Sequence, residues 1–114
     1  MLPCFISLDG NADFRLDDPL TLVGRDRACE VRLDSSRVSR RHCCLAFGHG
    51  KVLVRDLGST NGTRINGQCV AKGLLQPGDE LGIAHLRFRL IILDRTEGLG
   101  SRETPRDKDV AGQP

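Results

Sequence analysis

The sequence predicts an all-β fold in which short strands pack face to face as a sandwich. Apolar residues alternate with polar ones over short stretches, and turn signals recur between these stretches. No apolar repeat of helical period extends over the length of a helix. Thirteen glycines among 114 residues indicate many tight turns, which favours strands over a helical bundle. A chain of this length forms one domain with a modest core.

Turn signals divide the first third of the chain into strands. Asp9-Gly10-Asn11 supplies the positive φ that a hairpin needs, and Asp17-Asp18-Pro19 makes a second break. The strands predicted in this part span residues 2–8, 13–16, 20–24 and 29–33, where apolar side chains fall on alternate positions. One face of the first strand carries Leu2, Cys4, Ile6 and Leu8, and one face of the third carries Leu20, Leu22 and Gly24.

The same pattern continues as far as residue 93. Gly48-His49-Gly50 and Asn66-Gly67 are hairpin turns, and Pro77-Gly78 ends a stretch that begins apolar at Leu74. The strands predicted here span residues 42–47, 51–56, 63–65, 68–70, 80–84 and 86–93, which brings the total to about ten. In the last strand, Phe88, Leu90 and Ile92 lie on one side and Arg87 and Arg89 on the other.

Arginines are concentrated in one part of the chain, although the net charge is only +2. A balanced overall charge with a local arginine cluster indicates a small anionic ligand rather than a long polyanion. Nucleic-acid binding is the alternative, and the mild net charge and the lack of Trp and Tyr for base stacking oppose it. That alternative would use Arg25, Arg37, Arg40 and Arg41.

The five cysteines are odd in number and have no CxxC spacing. We expect reduced, mostly buried thiols in an intracellular protein. A zinc site that recruits His42 or His49 is the alternative, but adjacent Cys43 and Cys44 would point to opposite faces of a strand. No metal or other cofactor is therefore predicted.

No apolar run approaches the roughly 20 residues that a membrane helix needs. The N-terminus also lacks the basic start and long apolar stretch of a signal peptide. These features predict a cytoplasmic protein with no membrane partner.

Three clusters of glycines, hydroxyls and arginines lie in the middle of the chain. They are Gly24-Arg25, Ser39-Arg40-Arg41-His42 and Asp56-Leu57-Gly58-Ser59-Thr60-Asn61-Gly62-Thr63. Guanidinium groups, short hydroxyls and the amides of turns are the groups that surround a bound phosphate. We expect the clusters to be loops at one end of the sandwich that together hold a phosphorylated side chain.

The chemistry of these clusters also allows an enzymatic interpretation. Ser39 can offer a hydroxyl and an N–H to an oxyanion, and His42 begins the next strand, where its ring can bridge loop backbone groups. A hydrolase would instead use Ser39 as nucleophile and His42 as base, but no acidic partner or oxyanion-hole motif accompanies them. Asn61 carries both a donor and an acceptor and can hold a peptide backbone. Binding without catalysis is the better prediction.

The three clusters together resemble the signature of the forkhead-associated (FHA) domain in residues, order and spacing. Ile65-Asn66-Gly67 and Pro77-Gly78-Asp79 extend the resemblance, which covers roughly residues 4–93. It implies an eleven-stranded antiparallel β-sandwich whose loops at one end bind phosphothreonine in partner proteins. It further implies a protein–protein interaction module of signal transduction, whose partner is the substrate of a Ser/Thr kinase.

The resemblance also assigns roles to individual residues. The phosphate would be held by Arg25, Ser39 and Arg40. The peptide would be held by Thr60 and Asn61, and Arg37 would read a residue after the phosphothreonine, with an acidic or polar preference. The loops would be supported by Gly24, His42 and Gly62.

The composition changes at Asp94, where charged residues, Gly, Pro and Ser replace the apolar pattern. We therefore expect residues 1–93 to form the domain and residues 94–114 to be a flexible tail or linker. Thr96 and Thr104 lie in this tail. A phosphate on either would make it a candidate ligand for the same molecule or for a neighbouring one.

Overall fold

A computed structural model describes residues 1–93 of the chain, and it joins eleven strands into a six-stranded and a five-stranded sheet. The all-β sandwich that was predicted is confirmed. The strands are β1 (Leu2–Ser7), β2 (Phe14–Arg15), β3 (Leu20–Gly24), β4 (Val31–Arg32), β5 (Cys43–Gly48), β6 (Lys51–Asp56), β7 (Thr63–Ile65), β8 (Gln68–Cys69), β9 (Lys72–Leu75), β10 (Glu80–Ile83) and β11 (Leu86–Leu93).

The first sheet has the strand order β2-β1-β11-β10-β7-β8, and the second has the order β4-β3-β5-β6-β9. Paired strands are antiparallel with one exception, the parallel pair β3 and β4, in which Val23 lies opposite Val31. The chain loops back after Gly24, and β4 then runs in the same direction as β3 beside the last two residues of that strand. The N–H of Leu33 then donates to the carbonyl of Gly24 at 2.8 Å, which closes this return.

The core lies between the two sheets and consists of alternate side chains along the strands. The rings of Phe5 and Phe14 stack with centroids 4.9 Å apart, and Phe88 meets Phe14 edge-on at 5.0 Å. The alternation predicted for the last strand is confirmed by the burial of Phe88 and Leu90. The other fully buried apolar side chains are Val23, Val38, Cys43, Leu45, Val52, Val54, Leu75, Leu81 and Ile83.

Two strands turn a different face to the core from the face that carries most of their apolar residues. In β1 the side chain packed in the centre of the core is Phe5, which is fully buried, while on the opposite face Cys4 is buried at the margin and Ile6 is half-buried. In β3 the buried side chains are those of Thr21 and Val23, and the Leu20 side chain is 63% exposed. Both strands have apolar residues on both faces, so the period of two does not by itself select the inner face.

Strand β9 was not predicted, and the strand predicted at residues 29–33 is shorter than expected. Only the last residue of β9, Leu75, is buried, so the strand has no alternation to detect. A Cβ at Gly73 would lie 2.6 Å from Cδ1 of Ile65, so a larger residue there would require the Ile65 side chain to shift. In the strand predicted at residues 29–33, the N–H of Cys29 donates to the carbonyl of Asp26 and forms a turn. Strand β4 therefore begins only at Val31.

The predicted tail, residues 94–114, lies outside the described residues, and so do Thr96 and Thr104. Within residues 1–93, the structure contains no helix long and apolar enough to cross a membrane.

Candidate functional site

The three sequence clusters meet at one end of the second sheet. Strand β5 lies between β3 and β6 and is antiparallel to both. The end of β3, the start of β5 and the end of β6 therefore share one edge, and the loop that follows or precedes each strand projects from it. Backbone bonds link the three strands there: the N–H of His42 donates to Val23 at 2.9 Å, and the N–H of Leu57 donates to His42 at 2.9 Å.

These loops enclose a cleft of about 390 Å³, which we call the loop cleft. The cleft is lined by the five residues that were predicted to hold the phosphate or the peptide. It is also lined by Arg37, which was predicted to contact a residue after the phosphothreonine. The lining residues are Arg25, Ser36, Arg37, Val38, Ser39, Arg40, Thr60 and Asn61. None of them is acidic, so the cleft has a positive potential.

Arg25 is held in this cleft by hydrogen bonds from its backbone N–H and from the Nε of its guanidinium group. Its N–H donates to the carbonyl of Ser39 at 3.0 Å, and its Nε donates to the carbonyl of Val38 at 2.9 Å. Within residues 1–93, no acidic side chain pairs with Arg25, Arg37 or Arg40. The two terminal nitrogens of Arg25 thus remain available as donors in a fixed orientation.

Gly24 lets the loop before β5 lie directly against the end of β3. A Cβ at this position would lie 2.1 Å from the carbonyl oxygen of Arg40. Because that atom belongs to the backbone, no side-chain rotation could relieve the clash. Glycine is therefore required at this position by close approach alone.

Ser39 connects two of the loops. Its Oγ accepts a hydrogen bond from the N–H of Thr60 at 3.0 Å. The hydroxyl proton is then free to be donated to a ligand, because the oxygen serves as the acceptor of the loop contact. Ser39 is only partly buried, so this proton is accessible from the cleft.

His42 lies beneath Ser39 and is fully buried. Its Nδ1 accepts the N–H of Ser39 at 3.1 Å, and its Nε2 lies 2.8 Å from the carbonyl oxygen of Gly62. A backbone N–H can only donate and a carbonyl can only accept, which places a single ring proton on Nε2. The neutral ring joins the loop before β5 to the loop after β6.

Asp56 organises the turn that follows β6. Its carboxylate accepts hydrogen bonds from the hydroxyls of Ser59 and Thr63 and from the N–H groups of Gly58 and Ser59, at 2.5 to 3.1 Å. Burial by itself would raise the pKa of Asp56, but these hydrogen bonds lower it below its usual value. These four hydrogen bonds to one carboxylate fix the conformation of the turn.

Asn61 and Gly62 complete the turn. Gly62 has φ of 87°, as the Asn-Gly pair predicted, and its N–H donates to the Ser59 hydroxyl at 3.0 Å. The side-chain amide of Asn61 donates to the carbonyl of Arg37 at 2.7 Å. Asn61 therefore fixes the position of the loop before β5, and its side-chain oxygen stays available as an acceptor.

Residues that sequence reasoning missed extend the site on one side. Ser36 lines the loop cleft, and a neighbouring depression of about 330 Å³ shares Arg37 and Asn61 with it. That depression is also lined by Arg64, Ala84 and His85. Arg64 donates to the carbonyl of Ala84 at 3.1 Å and so supports the β10–β11 turn, a contact between distant residues that no local pattern announces.

Arg41, the fourth member of the predicted arginine group, does not line the loop cleft. No group of three or more potential metal ligands occurs within residues 1–93. Both ring nitrogens of His42 are occupied by backbone contacts, and burial raises the pKa of the Cys43 thiol to about 12. These two groups are therefore poorly suited to bind zinc, which requires neutral imidazole nitrogens and thiolates.

A family model for the FHA domain matches residues 21–84. The chain belongs to the FHA domain family. The family suggested by the three clusters is thus confirmed, and the matched segment includes every predicted site residue.

Two curated relatives of this domain are regulatory proteins by name. The chain is similar to the oxoglutarate dehydrogenase inhibitor of Corynebacterium efficiens, at 40% identity over 85 residues, which are 75% of this chain and 58% of that protein. It is also similar to the glycogen accumulation regulator GarA of Mycolicibacterium smegmatis, at 41% identity over 80 residues, which are 70% of this chain and 49% of that protein. The chain spans about half the length of the curated relatives it matches.

Solved FHA domains have the same fold. One, from a study of phosphothreonine-dependent FHA domain interactions, matches with a TM-score of 0.75 at 27% identity and covers 82% of this chain and 99% of its own. The N-terminal FHA domain of Rad53p from S. cerevisiae, in complex with a phosphothreonine peptide, matches with a TM-score of 0.70 at 28% identity. That match covers 83% of this chain and 96% of the Rad53p domain.

Proposed function

We propose that the loop cleft binds a phosphorylated threonine in a partner protein and that the domain acts as a signalling adaptor. The observation that carries the proposal is the cleft itself, in which arginines without acidic partners among residues 1–93 surround a serine hydroxyl. A phosphate carries about −1.5 to −2 charge at neutral pH and takes short, directional bonds from guanidinium groups. The solved Rad53p domain with its phosphothreonine peptide supports the same choice of ligand.

The phosphate would be bound by Arg25 and Ser39, with Arg40 adding charge at the exposed rim. Arg25 supports this role best, because its backbone and Nε are held while its terminal nitrogens stay free within the described part of the chain. Ser39 would donate its hydroxyl proton, since its oxygen already accepts from Thr60. The phosphate would thus meet donors whose orientation is set before it arrives.

The peptide would lie across the turn after β6. Thr60 and Asn61 line the cleft on that side, and the free side-chain oxygen of Asn61 would accept from a backbone N–H of the peptide. Arg37 would read a residue after the phosphothreonine, because its exposed side chain borders both the cleft and the neighbouring depression. Gly24, His42 and Gly62 would support the loops without touching the ligand.

We infer that the domain is not an enzyme. A hydrolase would need a ring nitrogen of His42 to take the proton of the Ser39 hydroxyl. Instead, one ring nitrogen accepts the Ser39 N–H and the other meets the Gly62 carbonyl. A Ser39→Ala variant tests this inference, since a hydrolytic activity of the wild type lost in that variant would contradict it.

We also propose that the protein acts in the cytoplasm and that residues 1–93 form the functional domain. All five cysteines are free thiols, which suits a reducing compartment. The partner would be a protein phosphorylated by a Ser/Thr kinase. Nucleic-acid binding is less well supported, because Arg41 lies outside the cleft and the site sits in a small hollow rather than along a groove.

Binding of an oriented phosphothreonine peptide library, followed by titration of the best peptide, tests the function. The threonine form without phosphate should not bind, and Arg25→Ala should weaken binding about 100-fold, because a hydrogen bond to a charged group contributes about 1.5–3 kcal/mol. Arg15→Ala, at an exposed arginine of the other sheet, is the matched control and should bind normally. Retained affinity in Arg25→Ala would refute the proposed site.

A salt titration separates this function from nucleic-acid binding. Binding to a nucleic acid weakens steeply with salt in proportion to the number of phosphates contacted. A single phosphothreonine should show a much shallower dependence. Tight, salt-sensitive binding of DNA or RNA oligomers of many sequences would favour the alternative.

A further inference from the structure

The outer face of the second sheet carries a row of apolar side chains that lies in register across four strands. Leu20 on β3 pairs with Ala46 on β5, Ala46 pairs with Leu53 on β6, and Leu53 pairs with Leu74 on β9. Residues directly opposite each other project from the same face of a sheet. We call these four residues the outer apolar row. It spans three inter-strand spacings, or roughly 14 Å.

The three leucines of this row are exposed, although they are large, and Ala46 between them is half-buried. Leu20 is 63% exposed, Leu74 54% and Leu53 38%. Single exposed leucines are ordinary, but a contiguous exposed row is typical of an interaction surface. The core does not explain the row either, because the inner face of the same strands is already filled by buried residues such as Leu45, Val54 and Leu75.

Basic residues flank the row on β6 and β9, whereas at the β3 edge the carboxylate of Glu30 accepts the N–H of Leu22 at 2.7 Å. The next row towards the loop cleft consists of Leu22, Cys44, Arg55 and Lys72, and the row on the other side consists of Gly48 and Lys51. Lys51, Arg55 and Lys72 are exposed, and none forms a salt bridge within residues 1–93. The surface thus combines apolar contact with an unneutralised positive charge.

The charge indicates which occupant fits this surface. A second copy of the chain, docked through the same face, would bring two sets of these cations together, which opposes a symmetric dimer. A segment in which leucine-like and acidic residues alternate would fit instead. Its apolar side chains would contact the outer apolar row, and its carboxylates would pair with the basic side chains.

The position of the row connects it to the loop cleft. Strands β3 and β6 run towards the loop end, so Leu20 and Leu53 lie upstream of Gly24 and Asp56 on the same strands. Leu20 lies four residues before Gly24 on this strand, which is a distance of roughly 13 Å. A peptide bound in the cleft could therefore continue onto this face within a few residues.

We propose that the outer apolar row, with Arg55 and Lys72, is a second docking surface for an acidic, apolar segment of the phosphorylated partner. The inference rests on the proposed function, because the phosphothreonine in the loop cleft would bring that segment to the sheet. The two contacts would then act together, since binding of the first makes the second intramolecular.

The experiment compares three peptides by calorimetry. The first is the short phosphothreonine peptide selected from the library. The second carries an extension of about twelve Gly and Ser residues, which reach about 20 Å on average, followed by six residues that alternate Leu and Glu. The third replaces each Glu with Lys. Each extension is built in two versions, one at each end of the short peptide.

In the wild type, one version of the Leu–Glu extension should tighten binding by about tenfold or more over the short peptide. The Leu–Lys extension should not tighten it. The double variant Leu53→Thr with Leu74→Thr should bind the short peptide normally and lose the gain, because threonine keeps the strand and removes the apolar contact. Leu93→Thr, a substitution of a 46% exposed leucine on the other sheet, should keep the gain.

The outcomes separate the two proposals. No gain from either Leu–Glu version, or a gain that survives in the double variant, would overturn the docking surface while leaving phosphothreonine binding intact. Failure of the short peptide itself would overturn the proposed function and this inference with it. A wild-type dimer in sedimentation that the double variant abolishes would assign the row to a second copy and refute the acidic partner.

Discussion

The arginines that line the loop cleft and the residues directly beneath them differ in exposure, charge and bonding. Arg37 and Arg40 are exposed, and within residues 1–93 their side chains pair with no acidic group. Beneath them, His42 is fully buried, and its two ring nitrogens both meet backbone groups. Asp56 accepts four hydrogen bonds from its own turn.

This difference separates the source of the site's charge from the source of its shape. Exposed arginines contribute little to stability, because solvent already satisfies them. The residues beneath them position the loops without any ligand. Substitutions in the lower layer should therefore change stability and binding together, and substitutions of the exposed Arg37 and Arg40 should change binding alone.

The largest effect is expected from Gly24→Ala. The new Cβ would lie 2.1 Å from the Arg40 carbonyl oxygen, so the backbone of the loop must move. We expect a loss of about 3 kcal/mol in the free energy of unfolding, at the upper end for overpacked sites, and loss of phosphopeptide binding. Urea denaturation and calorimetry measure the two effects.

Gly48→Ala is the matched control for this change, since a Cβ at Gly48 meets nothing within 4 Å. It should leave both quantities nearly unchanged. Normal stability in Gly24→Ala would mean that the loop can move away from β3 at little cost. The residues beneath the arginines would then not be what fixes the shape of the site.

His42→Ala should have the next largest effect. It leaves the Ser39 N–H and the Gly62 carbonyl without their partner in a buried site, and each unsatisfied group costs about 1–3 kcal/mol. We expect a loss of about 2–3 kcal/mol in the free energy of unfolding, with weaker peptide binding, because Ser39 loses its anchor. His85→Ala, at an exposed histidine, should leave the free energy of unfolding unchanged. Full binding by a destabilised His42→Ala would show that the ring is only a core residue.

The pH dependence of stability tests the turn built on Asp56. Burial opposes its ionisation, but the hydrogen bonds from Ser59, Thr63 and Gly58 lower its pKa below the ordinary 3.8. The unfolded state therefore binds more protons in acid, so stability rises with pH there. The stabilisation is complete above the unfolded pKa and disappears as the pH falls through the lower folded pKa.

Asp56→Asn keeps the size of the side chain and removes the titration. Unfolding of the variant, followed by urea denaturation at a series of acidic pH values, should show a shallower slope than that of the wild type below about pH 4. Parallel slopes in the two proteins would mean that the carboxylate gains nothing from its four donors.

The sequence predicted the upper layer of the site better than the lower one. Arg25, Ser39 and Asn61, which line the loop cleft, were candidates in the sequence because phosphate chemistry requires arginines, hydroxyls and tight turns. Gly24 and His42 were expected to support the loops, but the atoms that they contact were not predicted, and Asp56 received no role of its own. Their contacts join residues that are far apart in the chain, such as His42 and Gly62, and no local spacing encodes such a contact.

The fold shows the same division. Turn residues predicted ten of the strands, because Gly, Asn and Pro favour the backbone conformations of turns and so mark where strands end. They missed β9, which is placed by its antiparallel backbone pairing with β6. They also did not select the inner face of β1 or β3, where stacking of Phe5 on Phe14 and packing of Val23 decide the orientation.

The smallest effect is expected from Arg37→Ala. Its side chain is exposed at the border of the two hollows, so the free energy of unfolding should change by less than about 0.5 kcal/mol. Affinity for a phosphopeptide with an acidic residue after the phosphothreonine should fall about fivefold, which corresponds to roughly 1 kcal/mol for a partly exposed ion pair.

The same peptide with alanine in place of the acidic residue makes this a double-mutant cycle. If Arg37 reads that residue, the alanine peptide should bind the wild type and Arg37→Ala equally. An equal loss for both peptides would show that Arg37 acts on the phosphate itself. The hydrogen bond from Asn61 goes to the backbone of Arg37 and remains in the variant. A fall in stability would therefore mean that the Arg37 side chain itself supports the loop.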